Sequence, residues 1–369
     1  MTSDYHQERI TDVQEKLTWV RSQLATRGVH GVRLRGIDWF AWITAGASDA
    51  VLLTAEAGVA EVLVTKSDAI ILTDEIEAAR LQDEEVPAGF SWHVAPWAEL
   101  QQRDTFVTEA AAGGLILSDR PHAGERPLPS EFLRRRLRLS GSEHNRYREV
   151  GQRAALAMSE VMHAARPDWT EYELAGAGAE ALWACGLHPA LTLAAGAARL
   201  PRYRHPTPST AHLGNEAMLG FCARGFGLYT NLTRFVRFSP ANAEQKNRHE
   251  VIRAVEAAAL RACRPGLALH RVCDTLAEAY STRGYPAAIR EHHQGGLTGY
   301  LAREVITTPD TNVLLETGTA IALNPSLSGM KIEDTFLVHA DALENLTLDP
   351  DWPSINHDGR MRPVPLERS

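Results

Sequence analysis

The chain has 369 residues, of which 44% are hydrophobic and 23% are charged, and its formal net charge is −8 at pH 7. This length allows two domains with buried cores of their own. The acidic balance argues against nonspecific nucleic-acid binding, which needs clustered cationic surface. A membrane partner is equally unexpected, because no apolar run reaches the roughly 20 residues that span a bilayer.

Two further features concern the compartment. The N-terminal segment MTSDYHQERITDVQEKL lacks the apolar stretch of a secretory signal. The four cysteines show no paired CxxC spacing, so neither a zinc knuckle nor a redox motif is indicated. We therefore expect a cytoplasmic protein with free thiols.

The first part of the chain predicts a mixed α/β domain over residues 1–140. Residues 8–28 predict a helix, because apolar residues recur with a period close to 3.6 at Ile10, Val13, Leu17, Val20 and Leu24. Strands are expected in WFAWITAG (39–46), three more in residues 50–73, and a helix in DEIEAARLQDE (74–84). The Pro- and Gly-rich segment 118–130 marks the end of the domain.

The second part predicts helices and strands in alternating blocks over residues 141–345. Helices are expected at about 142–164, at 167–186 with Thr170 and Glu173 as a capping box, and at about 243–264 and 268–283. Strands are expected at about 190–238 and 288–340, and the Pro-rich tail 346–369 is expected to be irregular. The fold class is therefore α+β.

The order of these elements, together with the sequence motifs RHP, NLTR, HHQGG, NPSL and KIEDT, resembles the superfamily of creatinase, prolidase, aminopeptidase P and methionine aminopeptidase. The segment FAWITAG resembles part of the superfamily's first domain. The resemblance implies a mixed α/β creatinase-like N-terminal domain followed by a C-terminal pita-bread domain, and assembly as a homodimer.

The dimetal peptidases of this superfamily hold two divalent ions with two aspartates, one histidine and two glutamates. Carried over position by position, the resemblance puts Gly220, Asn231, His293, Asn324 and Glu333 in those five places. Three carboxylates are thus replaced by neutral residues, and one His with one Glu cannot hold two hard cations against water. We expect no dimetal centre, and no cofactor.

A single zinc ion is the alternative, with His205, His292, His293, Glu304 and Glu333 as nominal ligands. Neighbouring residues of a strand point to opposite faces. Only one residue of the pair His292–His293 is therefore expected to face the site, and no metal ligands are predicted.

The predicted catalytic residues are His205, His293 and Glu333. The resemblance implies that His205, in GAARLPRYRHP, is the acid/base residue that creatinase uses to hydrolyse its substrate without a metal. An imidazole suits this task, because its pKa lies near neutrality. A buried carboxylate needs a partner, and His293 is the expected partner of Glu333.

The predicted substrate-binding residues are polar or aromatic residues in or near the segments quoted above. Their cationic members would hold a substrate carboxylate, and Trp39 would belong to a lid over the pocket of a partner subunit. The set comprises Arg204, Arg234, Tyr300, Arg303, Asn231, Asn324 and Trp39.

These residues favour a metal-independent, creatinase-like hydrolase that cleaves a C–N bond in a small nitrogen-containing carboxylic acid. Two alternatives remain open. One is a lyase, isomerase or decarboxylase of a specialised biosynthetic pathway, since proton transfer next to a carboxylate uses the same groups. The other is a catalytically inactive module that binds peptides or proteins, although such a surface has no need of clustered titratable groups.

Overall fold

The computed structural model describes residues 3–122 and 124–368. The chain divides into two units. One comprises the residues up to Arg136 together with Ser140–Glu143, and the other comprises Leu137–Leu139 and the residues from His144 onward. In the part of the chain that the structure describes, no helix is both long and apolar enough to cross a membrane.

The first unit contains a six-stranded mixed sheet in the order β4-β3-β2-β1-β5-β6. Its strands are β1 Gly31–Gly36, β2 Ala57–Thr65, β3 Ala69–Asp74, β4 Ser91–Ala95, β5 Ile116–Ser118 and β6 Arg126–Pro127. Its helices are α1 Ser3–Arg27, α2 Ile37–Ile43, α3 Ala78–Arg80, α4 Leu100–Ala110 and α5 Ser130–Leu137. The predicted helix 8–28 is confirmed by α1, whose apolar stripe is buried at Val13, Leu17, Val20 and Leu24.

The strand predicted in WFAWITAG is wrong, because residues 39–43 belong to helix α2, all seven residues of which are buried, and residues 44–46 form a turn and a bend. A short run that is apolar on every side fits a buried helix as well as a buried strand, so periodicity cannot separate the two. Of the three strands expected within 50–73, only β2 and β3 form, since residues 51–54 make bends and turns. The helix expected over 74–84 is reduced to α3 and a π-helical turn, Leu81–Glu85.

The second unit contains two larger sheets, β19-β9-β8-β7 and β11-β10-β12-β15-β16, and two hairpins. The strands of the four-stranded sheet are β7 His188–Gly196, β8 Glu216–Gly225, β9 Leu228–Arg237 and β19 Leu366–Glu367. Those of the five-stranded sheet are β10 Gly295–Thr298, β11 Val305–Ile306, β12 Ala320–Leu323, β15 Asp334–Val338 and β16 Leu343–Asn345. The hairpins are β13 Ser326–Leu327 with β14 Met330–Lys331, and β17 Ser354–His357 with β18 Arg360–Pro363.

The helices of this part are α6 Gly141–Ala164, α7 Glu171–Ala184, α8 Ala243–Ala262, α9 Leu269–Thr282 and α10 Ala288–Glu291. The predicted helices are confirmed by α6 to α9, and the predicted capping box is present: Thr170 accepts from the backbone N–H of Glu173, whose side chain accepts from the backbone N–H of Thr170. The tail expected to be irregular instead forms β17, β18 and β19. It is ordered because Trp352 and Leu366 enter the apolar core of this unit.

Strand alternation separates this core from the functional face. On β8, Leu219 and Phe221 belong to the core cluster that includes residues of α6 and α7. Successive residues of a strand point to opposite faces, so Gly220 and Cys222 lie on the face of the sheet opposite this core. Thr233, on β9 of the four-stranded sheet, forms a β-bridge with Glu333, which directly precedes β15 of the five-stranded sheet.

Candidate active site

A cavity of about 110 Å³ lies on the face of β8 and β9 opposite the core. Most of its walls come from loops and strand ends: His205 from the β7–β8 connection, His293 from the segment before β10, and Glu333 from the two residues between β14 and β15. The lining residues are Leu191, Leu193, His205, Gly220, Phe221, Cys222, Asn231, His293, Ala302, Arg303, Asn324, Lys331 and Glu333.

Glu333 is a buried carboxylate held by three donors. Its Oε1 accepts from Arg303 Nη2 at 2.7 Å, and its Oε2 accepts from Lys331 Nζ at 2.7 Å and from Thr233 Oγ1 at 2.9 Å. Burial by itself would raise the pKa of Glu333, but Lys331 and Arg303 overcome it and lower the pKa to about 2. The side chain is therefore ionised at neutral pH.

The predicted pairing of Glu333 with His293 is wrong, since the partners of this carboxylate are Arg303, Lys331 and Thr233. Sequence reasoning missed Lys331 altogether. A signal was present: residues two apart in an extended segment lie on the same face, and Lys331 stands two positions before Glu333.

Three imidazoles cluster at one side of the cavity. The Nε2 atoms of His205 and His292 lie 2.9 Å apart, and the rings of His292 and His293 stack with centroids 4.5 Å apart. The rings of His205 and His293 stack at 5.4 Å. One ring nitrogen from each of the three residues lies within 4.8 Å of the others.

Of the pair His292–His293, only His293 lines the cavity, as expected, but strand alternation is not the reason. The pair does not lie on a strand but in the connection between α10 and β10, where His292 ends the helix with φ −157° and ψ 148°. Strand alternation does not apply there, and both rings turn toward His205. His292 therefore contacts His205 from behind the cavity lining, a contact that sequence reasoning did not predict.

Burial and nearby cations keep these imidazoles neutral. Burial, with Lys331 as the next cause, lowers the pKa of His292 to about 3; burial and then Arg303 lower the pKa of His293 to about 4. The pKa of His205 is lowered in the same way, by burial and then by Lys331. Because a neutral imidazole has one donor and one acceptor nitrogen, one proton lies between His205 and His292.

Amides and a thiol form another part of the cavity wall. Cys222 Sγ donates to Asn231 Oδ1 at 2.9 Å, and Asn231 Nδ2 donates to Thr298 Oγ1 at 3.2 Å. Burial raises the pKa of Cys222 to about 11, so it is a thiol and not a nucleophilic thiolate. The buried Asn324 Oδ1 finds no donor among the described residues, which leaves an acceptor for a ligand.

Two predicted binding residues are engaged away from the cavity wall. Arg234 is buried and donates to Asp334 Oδ1 at 2.8 Å and to the carbonyl oxygen of Thr347 at 2.7 Å. Arg204 forms an ion pair with Glu291. The structure thus brings neither guanidinium to the wall of this cavity.

The two predicted aromatic residues are also placed elsewhere. Tyr300 is buried in the turn after β10, outside the cavity lining. Trp39 lies on α2 in the first unit, where it packs edge-on against Trp42 and carries the Arg136 guanidinium 4.1 Å from its ring centroid. Its predicted lid role stays a prediction.

Comparison with known proteins identifies the family. Residues 145–340, more than half of the chain, match metallopeptidase family M24. An uncharacterized peptidase of Staphylococcus aureus (strain bovine RF122 / ET3-1) is 28% identical over 151 residues, which cover 39% of this chain but only 43% of that relative. The chain thus matches less than half the length of this relative.

Solved structures of low sequence identity share the fold. An Xaa-Pro dipeptidase from Bacillus anthracis superposes with a TM-score of 0.76 at 16% identity, covering 96% of this chain and all of that one. The prolidase from Pyrococcus horikoshii gives 0.77 at 18% identity, with 90% and 98% covered. An X-Pro aminopeptidase from Thermotoga maritima gives 0.72 at 16% identity, with 88% and 96% covered. These findings confirm the predicted α+β pita-bread fold and the superfamily resemblance, and the chain belongs to metallopeptidase family M24.

Proposed function

We propose that this protein is a hydrolase that cleaves a C–N bond in a small nitrogen-containing carboxylic acid, with imidazole acid/base chemistry in place of a dimetal centre. Hydrolysis of a C–N bond agrees with the family and with relatives described as peptidases. The observation that carries the proposal is the charge of the cavity: Arg303 and Lys331 face a single carboxylate, Glu333.

The residues present do not fit the paired metals of the family. Among the cavity-lining residues that the structure describes, Glu333 is the only carboxylate, and both of its oxygens are already in ion pairs. The matched positions Gly220, Asn231 and Asn324 are neutral. Two divalent cations would thus lack the negative charge that hard ions require. The proposed reaction therefore uses side chains of the protein only.

The uncompensated positive charge supports binding of a substrate carboxylate. Lys331 is a compact ammonium with three donors, of which the ion pair with Glu333 uses one. Arg303 keeps part of its side chain, 15%, exposed. Charge-assisted hydrogen bonds from these groups are about twice as strong as neutral ones. Arg303 keeps its predicted role of binding the substrate carboxylate. Lys331 takes the same role in place of Arg204 and Arg234.

His205 is the proposed general base. It lines the cavity, and its Nε2 contacts His292 Nε2. In the proposed reaction, His205 removes a proton from water while the water oxygen bonds to the substrate carbon. The same proton then passes to the departing nitrogen as the C–N bond breaks. His293 would orient the water, and Asn324 Oδ1 would accept a hydrogen bond from a substrate N–H.

The test is turnover by the full-length protein after dialysis against EDTA, with dipeptides and guanidino acids as candidate substrates and the released amine measured by mass spectrometry. We expect turnover to persist without metal and to fall about 10²–10⁴-fold in His205→Ala, the usual contribution of general acid/base catalysis. His212→Ala, an exposed histidine outside the cavity lining, is the matched control. Full activity in His205→Ala, or activity that requires added metal, would overturn the mechanism.

The comparisons do not favour the non-hydrolytic or the binding-module alternative. Cytoplasmic location and a homodimer with Trp39 in a lid stay predictions. Light scattering on the purified chain would check the dimer.

A further inference from the structure

The three clustered histidines form a set of nitrogen donors. We propose that His205, His292 and His293 bind one late first-row divalent metal ion, of which zinc is the representative, and that the bound ion blocks the acid/base chemistry of His205. The binding step stands on the geometry alone, whereas the inhibition rests on the proposed function.

The spacing of the rings fits a single ion. Zinc–nitrogen bonds of about 2.0–2.1 Å in a tetrahedral site place the ligand nitrogens about 3.4 Å apart. Here one nitrogen from each ring lies within 4.8 Å of the others, and the two Nε2 atoms of His205 and His292 are 2.9 Å apart. Small side-chain rotations would bring all three to bonding distance, and His205 is the most exposed of the three.

The donor types select the class of ion. Three imidazoles without a carboxylate suit Zn²⁺, Cu²⁺, Ni²⁺ or Co²⁺, whereas Mg²⁺, Ca²⁺ and Mn²⁺ prefer oxygen ligands. Three protein ligands also leave a fourth position for water or substrate, and two of the three histidines line the cavity. Such a site differs from the carboxylate-rich pair of the family, with which it shares only the position of His293.

The surroundings indicate an exchangeable ion rather than a permanent one. Lys331 and Arg303 repel a cation at the rings, and the carboxylate of Glu333 offsets only one of the two charges. Histidine ligands are usually fixed by a second hydrogen bond from the free ring nitrogen. His292 lacks this support, because its buried Nδ1 has no partner among the described residues.

Binding and catalysis exclude each other at His205. In the proposed metal-free state His205 donates its Nε2–H to His292 Nε2 and offers its Nδ1 lone pair to water. A bound ion takes the Nε2 lone pairs of both rings, and the Nε2 proton of His205 moves to its own Nδ1. His205 then has no lone pair with which to activate water.

The experiment measures binding without any substrate. EDTA-treated full-length protein is titrated with ZnCl2 by calorimetry, and with CoCl2 by the visible absorption of tetrahedral Co²⁺, with MgCl2 as the negative control. We expect one equivalent of zinc in the wild type and in His122→Ala, an exposed control histidine, and loss of that equivalent in His205→Ala and His292→Ala. His205→Ala changes an exposed side chain, so it tests the site even if His292→Ala is unstable.

The outcomes separate the two proposals. No zinc bound by the wild type, or the same stoichiometry in His205→Ala, would overturn the metal site. One equivalent bound with turnover raised or unchanged would overturn the inhibition and the base role of His205. Absence of hydrolysis in every condition would sink the proposed function, while the titration would still decide the metal site.

Discussion

Two neighbouring carboxylates, Glu333 and Asp334, belong to ion-pair networks of different net charge. Asp334 pairs with Arg234 and Arg362 at 2.8 Å, and Arg362 also pairs with Glu256. All four residues of this inner network are buried, and two cations balance two anions. Such a balanced arrangement stabilises the junction of strands but has no charge left for a ligand.

Glu333 is one residue away but faces the cavity. It pairs with Arg303 and Lys331, so two cations meet one anion. Because successive residues of an extended segment point to opposite sides, one short stretch supplies both networks. The difference teaches that charge balance, rather than burial alone, distinguishes the structural ion pairs of this protein from its proposed ligand-binding group.

The largest expected effect is on the balanced network. Arg362→Met leaves Glu256 and Asp334 with less positive charge in a buried place, and removing one partner of such a pair typically costs about 3–5 kcal/mol of unfolding free energy. Denaturant unfolding of the full chain measures it. Arg360→Met, on the same strand but more exposed and 4.0 Å from Asp358, is the control and is expected to cost at most about 1 kcal/mol. Equal costs for the two variants would contradict the comparison.

The second expected effect is on ligand binding. Lys331→Met removes the excess positive charge of the cavity, and loss of a charged hydrogen bond is worth about 1.5–3 kcal/mol, or roughly a 10- to 150-fold rise in the dissociation constant of a carboxylate ligand. Calorimetry with small carboxylic acids measures this. Lys246→Met, an exposed lysine outside this cavity, should leave the affinity unchanged. Unchanged affinity in Lys331→Met would show that the cavity does not recognise carboxylates through this charge.

The third effect is a dependence of stability on pH. The pKa of Glu333 is lowered from 4.5 to about 2, so the folded state binds its proton less readily than the unfolded state does. The resulting stabilisation is fully present above about pH 4.5 and is lost as the pH falls toward 2. The unfolding free energy of Glu333→Gln should therefore decline less steeply over this range than that of the wild type. Parallel declines would mean that Glu333 is not held ionised.

The smallest expected effect comes from a neutral donor. Thr233→Val keeps the shape of the side chain and both ion pairs of Glu333 but removes the 2.9 Å hydrogen bond to Oε2. A net loss of about 1 kcal/mol is expected in denaturant unfolding. Thr275→Val, which removes an exposed hydrogen bond within helix α9, serves as the control. A loss as large as that of Arg362→Met would show that the hydroxyl, not the charge, holds the carboxylate.

Much of the fold could be predicted from local patterns. Helix α1 follows from apolar periodicity, and α7 follows from its capping box, because these signals act between residues a few positions apart. The neutral residues at Gly220, Asn231 and Asn324 are likewise visible in the chain without coordinates. They carried the expectation that paired metals are absent, which stays a prediction.

Contacts between distant segments decided the rest. Helix α2 and strand β19 form where buried surroundings, not their own sequences, select the conformation. Arg234 and Arg303 look equally suitable for binding a carboxylate in the sequence, yet one turns into the balanced network and the other into the cavity. A cation's role depends on which anions the fold brings to it.

The sequence by itself determined the family, the long helices α1 and α6 to α9, and the identity of the groups able to do chemistry, because residue type and short-range spacing specify these. Only the tertiary structure decided which of those groups meet. It placed His292 beside His205, 87 positions away, and gave Glu333 two cations in place of the expected imidazole. Coulombic and hydrogen-bonding energies depend on distance in space, and short-range spacing in the chain does not specify that distance for residues far apart.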